Sequence, residues 1–353
     1  MASECTVTTS SERLIKITAW LALLLMTAVV LKMLAFLFVP LSVALLFCYA
    51  LGLPMDLLQR LRVPAFLRIL LVVLCAALVF YLLGRLMHAN LIELQQRMPE
   101  FEATFWGYAE SGLARLDISR EEARQLLAAF GDNFKHADLK PLGSMVRQMG
   151  ISFFSFVGNG FWVLLFMVFM LAEREGMTNR LVRGFGNEKA GSVMAALERV
   201  NRAVQSYLGL KIVLSLLTGV LVGVILKLFG VPFAFLWGVL TFLLNFIPNI
   251  GSVVATLPPV AVALFQTGSA LNTLFVAMAL MAVQMLVGNF VEPRLLGKGL
   301  NLSPLVVLLA LLFWGWMWGI VGMLIAVPLT AAIKIACEQL DSTRPVAVLM
   351  SSE

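Results

Sequence analysis

Between Glu198 and Glu338 the chain runs for 139 residues with a single carboxylate, Glu292. A soluble domain needs a polar exterior that such a stretch cannot supply. The whole chain shares the bias: 61% of its residues are hydrophobic and 13% charged, with mean hydropathy +0.94. An ordinary soluble domain is about 45–50% apolar and about 25% charged. The apolar runs are continuous rather than alternating, so paired strands of a barrel are excluded. What remains is an all-α, polytopic membrane helix bundle.

A hydrocarbon core of about 30 Å takes about 20 helical residues. The sequence predicts spans at 17–31 and 33–53, with Lys32 at a tight turn between them, then at 66–87 and 151–172. In the second half it predicts 212–229, 233–247, 271–287 and 304–333, with 252–265 as a shorter segment, about eight spans in all. Domains follow as a disordered polar tail (1–12), three spans (13–87), an outer insert (88–150), a fourth span (151–172), an inner amphipathic segment (173–211), a C-terminal core (212–336) and a polar tail (337–353). Arg13 and Lys16 precede an apolar run as in a signal sequence, but no small-residue cleavage site follows, so the first helix is expected to be retained.

Orientation follows from basic residues. Arg60, Arg62 and Arg68 flank the loop after the second span, and 173–211 carries seven Lys/Arg against four Asp/Glu, whereas 88–150 carries seven against nine. Both termini are therefore expected inside and 88–150 outside. The outer segment contains a capping box, Ser119 with Glu122, and reads as a small helical insert. The inner one places Val193, Leu197, Val200, Val204 and Tyr207 on one helical face, either packed beneath the bundle or serving as a coupling element.

Enzymatic chemistry finds little support. The histidines, His88 and His136, both precede the apolar half, so a serine nucleophile there has no base. There is no HExxH, no Cys or His cluster at metal spacing and no phosphate loop, so no cofactor or metal is expected. Cys5, Cys48, Cys75 and Cys337 are scattered and read as small apolar residues. The net charge of +6 sits mainly in inner loops and implies membrane lipids, not nucleic acid, as the contact.

The informative feature is irregularity inside apolar sequence. In "LLNFIPNIGSVVATLPPVAVAL" (243–264), Asn245, Pro248, Asn249, Gly251, Pro258 and Pro259 interrupt a would-be span. Irregular backbone at membrane depth must be buried in protein or line a polar cavity. Transporters commonly place their pathway at such discontinuous helices. A second interruption, "FWGWMWGIVGMLIAVP" (313–328), holds Gly315, Gly319, Gly322 and Pro328, and 304–333 is expected to fold back there. Between the two lie Gln284, Asn289 and Glu292. Pro293 is expected to end the helix at Glu292. Two readings of Glu292 stay open: a structural clamp with Arg294 or Lys298, or a role in moving substrate or ions. The glycines likewise permit either a pathway or plain close packing of helices.

"FAFLWGVLTFLLNFIPNIGSVVATLPP" (233–259) and "GNFVEPRLLGKGLNLSPLVVLLALLFWGWMWGIVGMLIAVPLT" (288–330) resemble the autoinducer-2 exporter family. Ile247-Pro248-Asn249-Ile250-Gly251, Glu292-Pro293-Arg294 and Gly322 to Pro328 carry the likeness, and the N-terminal half resembles the family in layout. The resemblance implies an export permease of the bacterial cytoplasmic membrane, a homo-oligomer and specifically a pentamer, acting on autoinducer-2, a small neutral polyhydroxylated signal. Asn245, Asn249, Gln284 and Asn289 suit such a molecule. Some relatives imply sodium–proton antiport instead, for which Glu292 is the available carboxylate. A non-transporting scaffold or passive pore is the third alternative.

Overall fold

The computed structural model describes residues 18, 19, 22, 23, 25–114, 160–173, 176–267, 269–296, 300–339 and 343–352. The tail 1–12, the capping box at 119–122, Lys298 and the larger part of the outer insert lie outside them. Among the described residues the structure is helical, with one isolated bridge, Leu302 to Ser351.

Helix α1 (Leu25–Met33) meets α2 (Ala35–Ala50) at a break of 87°. The break falls at Leu34, two residues beyond Lys32, and the pair reads as one broken span or a re-entrant turn rather than two plain crossings. A short α3 (Gly52–Arg60) leads to α4 (Ala65–Ala114), whose apolar part extends to Leu94. The boundary expected at residue 87 is no break: the helix continues through it into the insert. Helix α5 (Gly160–Glu173) packs on α2 and α4, burying Val163, Met167 and Leu171 with Val43 and Ala44 of the one and Val72 and Ala76 of the other. Residues 151–159 of the expected fourth span lie outside the described residues.

Helix α6 (Met177–Leu228) joins two segments that charge had separated. It kinks at Gly186 and is then continuous, so the amphipathic face at Val204 and Tyr207 runs directly into the apolar stretch. Lys211, which sequence reading placed at the membrane boundary, is 1% exposed. The helix closes in a Schellman turn, with Gly230 N–H on the Lys227 carbonyl (3.1 Å), Val231 N–H on that of Leu226 (2.8 Å) and Gly230 at φ 68°.

Two helical hairpins follow. In the first, α7 (Ala234–Leu244) descends, residues 245–249 turn, and α8 (Ile250–Thr267) returns until the Gln266 side-chain amide donates to the Gly230 carbonyl at 3.1 Å. Eleven residues span only about 16 Å, too short to cross. Pro258 and Pro259 lie within α8 without breaking it; the break is five residues of turn upstream of the helix. After α9 (Ala270–Met285), capped by Ser269, comes a π-turn (Leu286–Val291) and a short α10 (Glu292–Leu296). The helix therefore passes through Pro293 instead of ending before it. The wider turn accounts for this: Glu292 N–H reaches back to the Val287 carbonyl, five residues away, and the shift in register relieves the crowding a proline imposes.

The second hairpin is α11 (Pro304–Glu338), started by Ser303, whose Oγ accepts from Val306 N–H, with Pro304 at its first position. It folds back at Trp318 and Gly319 (φ 65°, ψ −144°). Trp314 Nε1 donates to Thr330 Oγ1 at 3.1 Å, a contact that a straight helix sixteen residues apart could not make. Gly315 and Gly322 flank this break, and Pro328 is buried in the returning arm, which stays helical. Thr330→Val leaves the buried Trp314 N–H without its acceptor and is expected to lower stability by about 1–3 kcal/mol, read as thermal unfolding in detergent. An unchanged midpoint would show that the bond does not hold the hairpin. Helix α12 (Arg344–Leu349) ends the chain against the foot of this hairpin, where Ser303 N–H donates to the Met350 carbonyl at 3.0 Å.

By length and composition four helices among the described residues can cross a membrane, or five if α1 and α2 form one span. The expected count of about eight is not confirmed among the described residues, where 160–173 and 234–244 form shorter apolar helices.

Candidate transport site

The two hairpins meet α6 at different levels. The first stands on Gly230, at the Leu228 end. The feet of the second, at Leu300, Leu302, Val307 and Ala332, pack with Val204 and Leu208 midway along it. Their tips overlap: Leu244 and Ile247 of the first share a cluster with Leu311, Trp314 and Met317 of the second and with Ala28 of α1. The α1–α2 break joins them, since Trp318 Nε1 donates to the Leu31 carbonyl (3.2 Å) and Lys32 lies 3.8 Å over the Trp316 ring. Three helix breaks thus meet, and the Leu31 carbonyl, which lipid could not satisfy, takes its hydrogen bond there.

Each tip turns in its own way. At the first, Asn249 takes the left-handed conformation (φ 59°), which asparagine tolerates better than most residues. Gly251, named above among the residues that interrupt the span, serves close approach: a Cβ there would collide with the Leu244 carbonyl oxygen. Gly322 does the same against the Trp314 carbonyl, while Gly319 supplies the positive φ.

A polar seam faces the first tip along α6. Lys211, Ser215 and Thr218 are spaced four and three residues apart, so they share one face, and they are exposed by 1%, 0% and 0%. Asn245 donates through Nδ2 to Ser215 Oγ at 3.0 Å. One turn before Asn245 on α7 stands Thr241, buried, with no hydrogen-bond partner for its hydroxyl among the described residues. Thr218 is spent on its own helix, donating to the Leu214 carbonyl at 2.8 Å. Helices α6 and α7 meet closely along Gly219 and Gly238, where a Cβ would lie 2.6–2.8 Å from the opposing backbone. That close packing brings Asn245 within reach of Ser215.

At the base of the seam Lys211 Nζ donates to Glu292 Oε1, with side-chain exposures of 2% and 22%. Of the clamps that sequence reading offered for Glu292, Lys298 lies outside the described residues and Arg294 is exposed; the partner found is Lys211, 81 residues away. Arg294 and Asn289 are exposed, Gln284 is half-buried, and Asn249 is exposed at the tip. Of the residues singled out from sequence, the structure brings Asn245 and Glu292 onto one face of α6 and leaves Asn249, Asn289 and Arg294 outward. Sequence reasoning missed Lys211, Ser215 and Thr241. A signal was present in "YLGLKIVLS": a lone lysine flanked by apolar residues in the same half as a lone carboxylate.

A family model described as AI-2E family transporter matches residues 21–342. The chain is 34% identical to the AI-2 transport protein TqsA of Escherichia coli over 342 residues, 96% of each chain. It is 36% identical over 298 residues to a candidate transport protein of Haemophilus influenzae, 82% of each. Over 188 residues, 53% of each chain, it is 40% identical to the candidate transport protein YhhT of Escherichia coli.

Proposed function

We propose, from the premise that this chain belongs to the AI-2E transporter family, that it exports a small uncharged polyhydroxylated signal along the seam between α6 and the first hairpin tip. Autoinducer-2, the molecule in the name of its Escherichia coli relative, is the substrate this reading favours. The carrying observation is that the seam offers hydroxyls and an amide with no net charge. Ser215, Thr218, Thr241 and Asn245 are neutral, and Lys211 and Glu292 cancel each other. Buried hydroxyls without partners cost about 1–3 kcal/mol each, and the Thr241 hydroxyl, which finds no partner among the described residues, suits a passing hydroxylated molecule. Cation–proton exchange needs a carboxylate free to trade one for the other, and Glu292 is engaged by a lysine. The reading places the protein in a bacterial cytoplasmic membrane with both termini inside, as a homo-oligomer and, by family resemblance, a pentamer.

Expression in a signal-producing bacterium should lower the intracellular level of autoinducer-2 and raise the extracellular one. Asn245→Leu, which strips the Ser215 hydroxyl of its donor, should abolish that shift by at least about tenfold while the protein still reaches the membrane in the same amount. Undiminished export by Asn245→Leu would remove the seam from the pathway.

A further inference from the structure

The seam ends at an ion pair that binds two dissimilar parts of the chain. On one side is α6, regular beyond its kink at Gly186 and packed closely against α7 around Gly219 and Gly223. On the other is the six-residue π-turn 286–291 leading into the five-residue α10. In α10, Pro293, Arg294 and Leu295 are all exposed, so among its described side chains Glu292 is the one turned inward. The π-turn is a single irregular step inside a helix, a feature found frequently at functional sites. At Gly288, within it, a Cβ would meet nothing within 4 Å, so the turn has room to rearrange. Enclosure is uneven: Lys211 is 2% exposed and Glu292 22%, which puts the polar opening on the Glu292 side.

A pair that only held α10 in place would be an expensive choice, because a buried ion pair can often be replaced by apolar residues at no loss of stability. Buried charges are best attested as devices that select between arrangements. Building on the export reading, we propose that Lys211–Glu292 is the latch of the transport pathway: it closes the base of the seam, and each cycle parts it by swinging α10 about the π-turn. Lys211 is then a positioning residue that holds Glu292, and not a group that binds the signal.

The test is a reversible tether. In a background with Cys5, Cys48, Cys75 and Cys337 replaced by serine or alanine, Lys211→Cys/Glu292→Cys is joined by a short bis-methanethiosulfonate reagent, which forms a mixed disulfide with each thiol and expels methanesulfinate, and is later released with reductant. Two quantities are followed: release of autoinducer-2 from proteoliposomes, and hydrogen exchange of the amides at 286–291. The latch predicts release without the tether, at least about tenfold less with it and recovery on reduction, with exchange in the π-turn slowed and restored in step. Equal release and equal exchange with the tether in place would overturn it. So would a folded, untethered variant that releases nothing. If the cysteine-free parent itself releases no autoinducer-2, the substrate reading has failed, and the exchange measurement still decides the latch. If the double-cysteine protein does not fold, the charge swap Lys211→Glu/Glu292→Lys takes its place. Recovery of release over Lys211→Glu alone supports the latch, and no recovery overturns it.

Discussion

Glu292→Leu should be the most damaging single change in the seam, lowering stability by about 3–5 kcal/mol and stopping transport. It leaves Lys211, 2% exposed, without a counter-charge in apolar surroundings. Lys211→Met should cost less, because the orphaned carboxylate of Glu292 is 22% exposed and keeps part of its hydration. The double variant Lys211→Met/Glu292→Leu should recover most of the loss in stability, since replacing both partners by apolar groups removes the unpaired charge along with the bond. Thermal unfolding of the four proteins in detergent forms the cycle, with each kcal/mol worth roughly 2 °C in a chain of this size. Singles that each shift the midpoint by less than a degree would mean the pair is open to water, contrary to its burial. Release should return with stability in the double variant, as an ungated leak, because packing is restored there and the charged latch that closes the seam is not.

The second large effect belongs to the tips. Gly251→Val and Gly322→Val each drive a branched side chain into a backbone carbonyl, of Leu244 and Trp314 respectively, and neither carbonyl can move without opening its turn. Overpacking of this kind typically costs about 1–3 kcal/mol when side chains give way, and here the obstacle is backbone. Both variants should therefore fail to accumulate as folded protein. Gly209→Ala is the control. It lies in α6 with nothing within 4 Å of a new Cβ, and it should be neutral or stabilising by up to about 1 kcal/mol. Membrane yield and monodispersity in detergent give the readout. Normal yield of Gly251→Val would show that the tip is looser than its geometry.

What the sequence carried well was whatever is local. Continuous apolar runs specify helices in a membrane, and Pro248 beside two asparagines marks a break that the structure places at 245–249. Gly319 marks the fold-back of α11 for the same reason, as the residue able to take φ 65°. The errors have local causes too. Charge was read as a boundary at Lys211, yet helix formation is indifferent to a single lysine once its charge is paired, and α6 runs straight through. Pro258 and Pro259 were read as breakers, but a helix packed in a bundle can satisfy the carbonyls they free. Pro293 was read as a stop, and a π-turn, which no residue preference announces, carried the helix past it. Lys211 and Glu292 were both visible, and their partnership was not. It depends on how α9 and the π-turn lie against α6, across 81 residues of chain.

The central claim is that a neutral, hydroxyl-lined seam carries a small signal across the membrane. Its most direct test is release of autoinducer-2 from proteoliposomes loaded with it, with and without imposed proton and sodium gradients. Release should run down the signal's own gradient, unaffected by either ion and lost in Asn245→Leu. Ion exchange with no release of the signal would contradict it, and would move the chemistry from the amide and hydroxyls of the seam to Glu292.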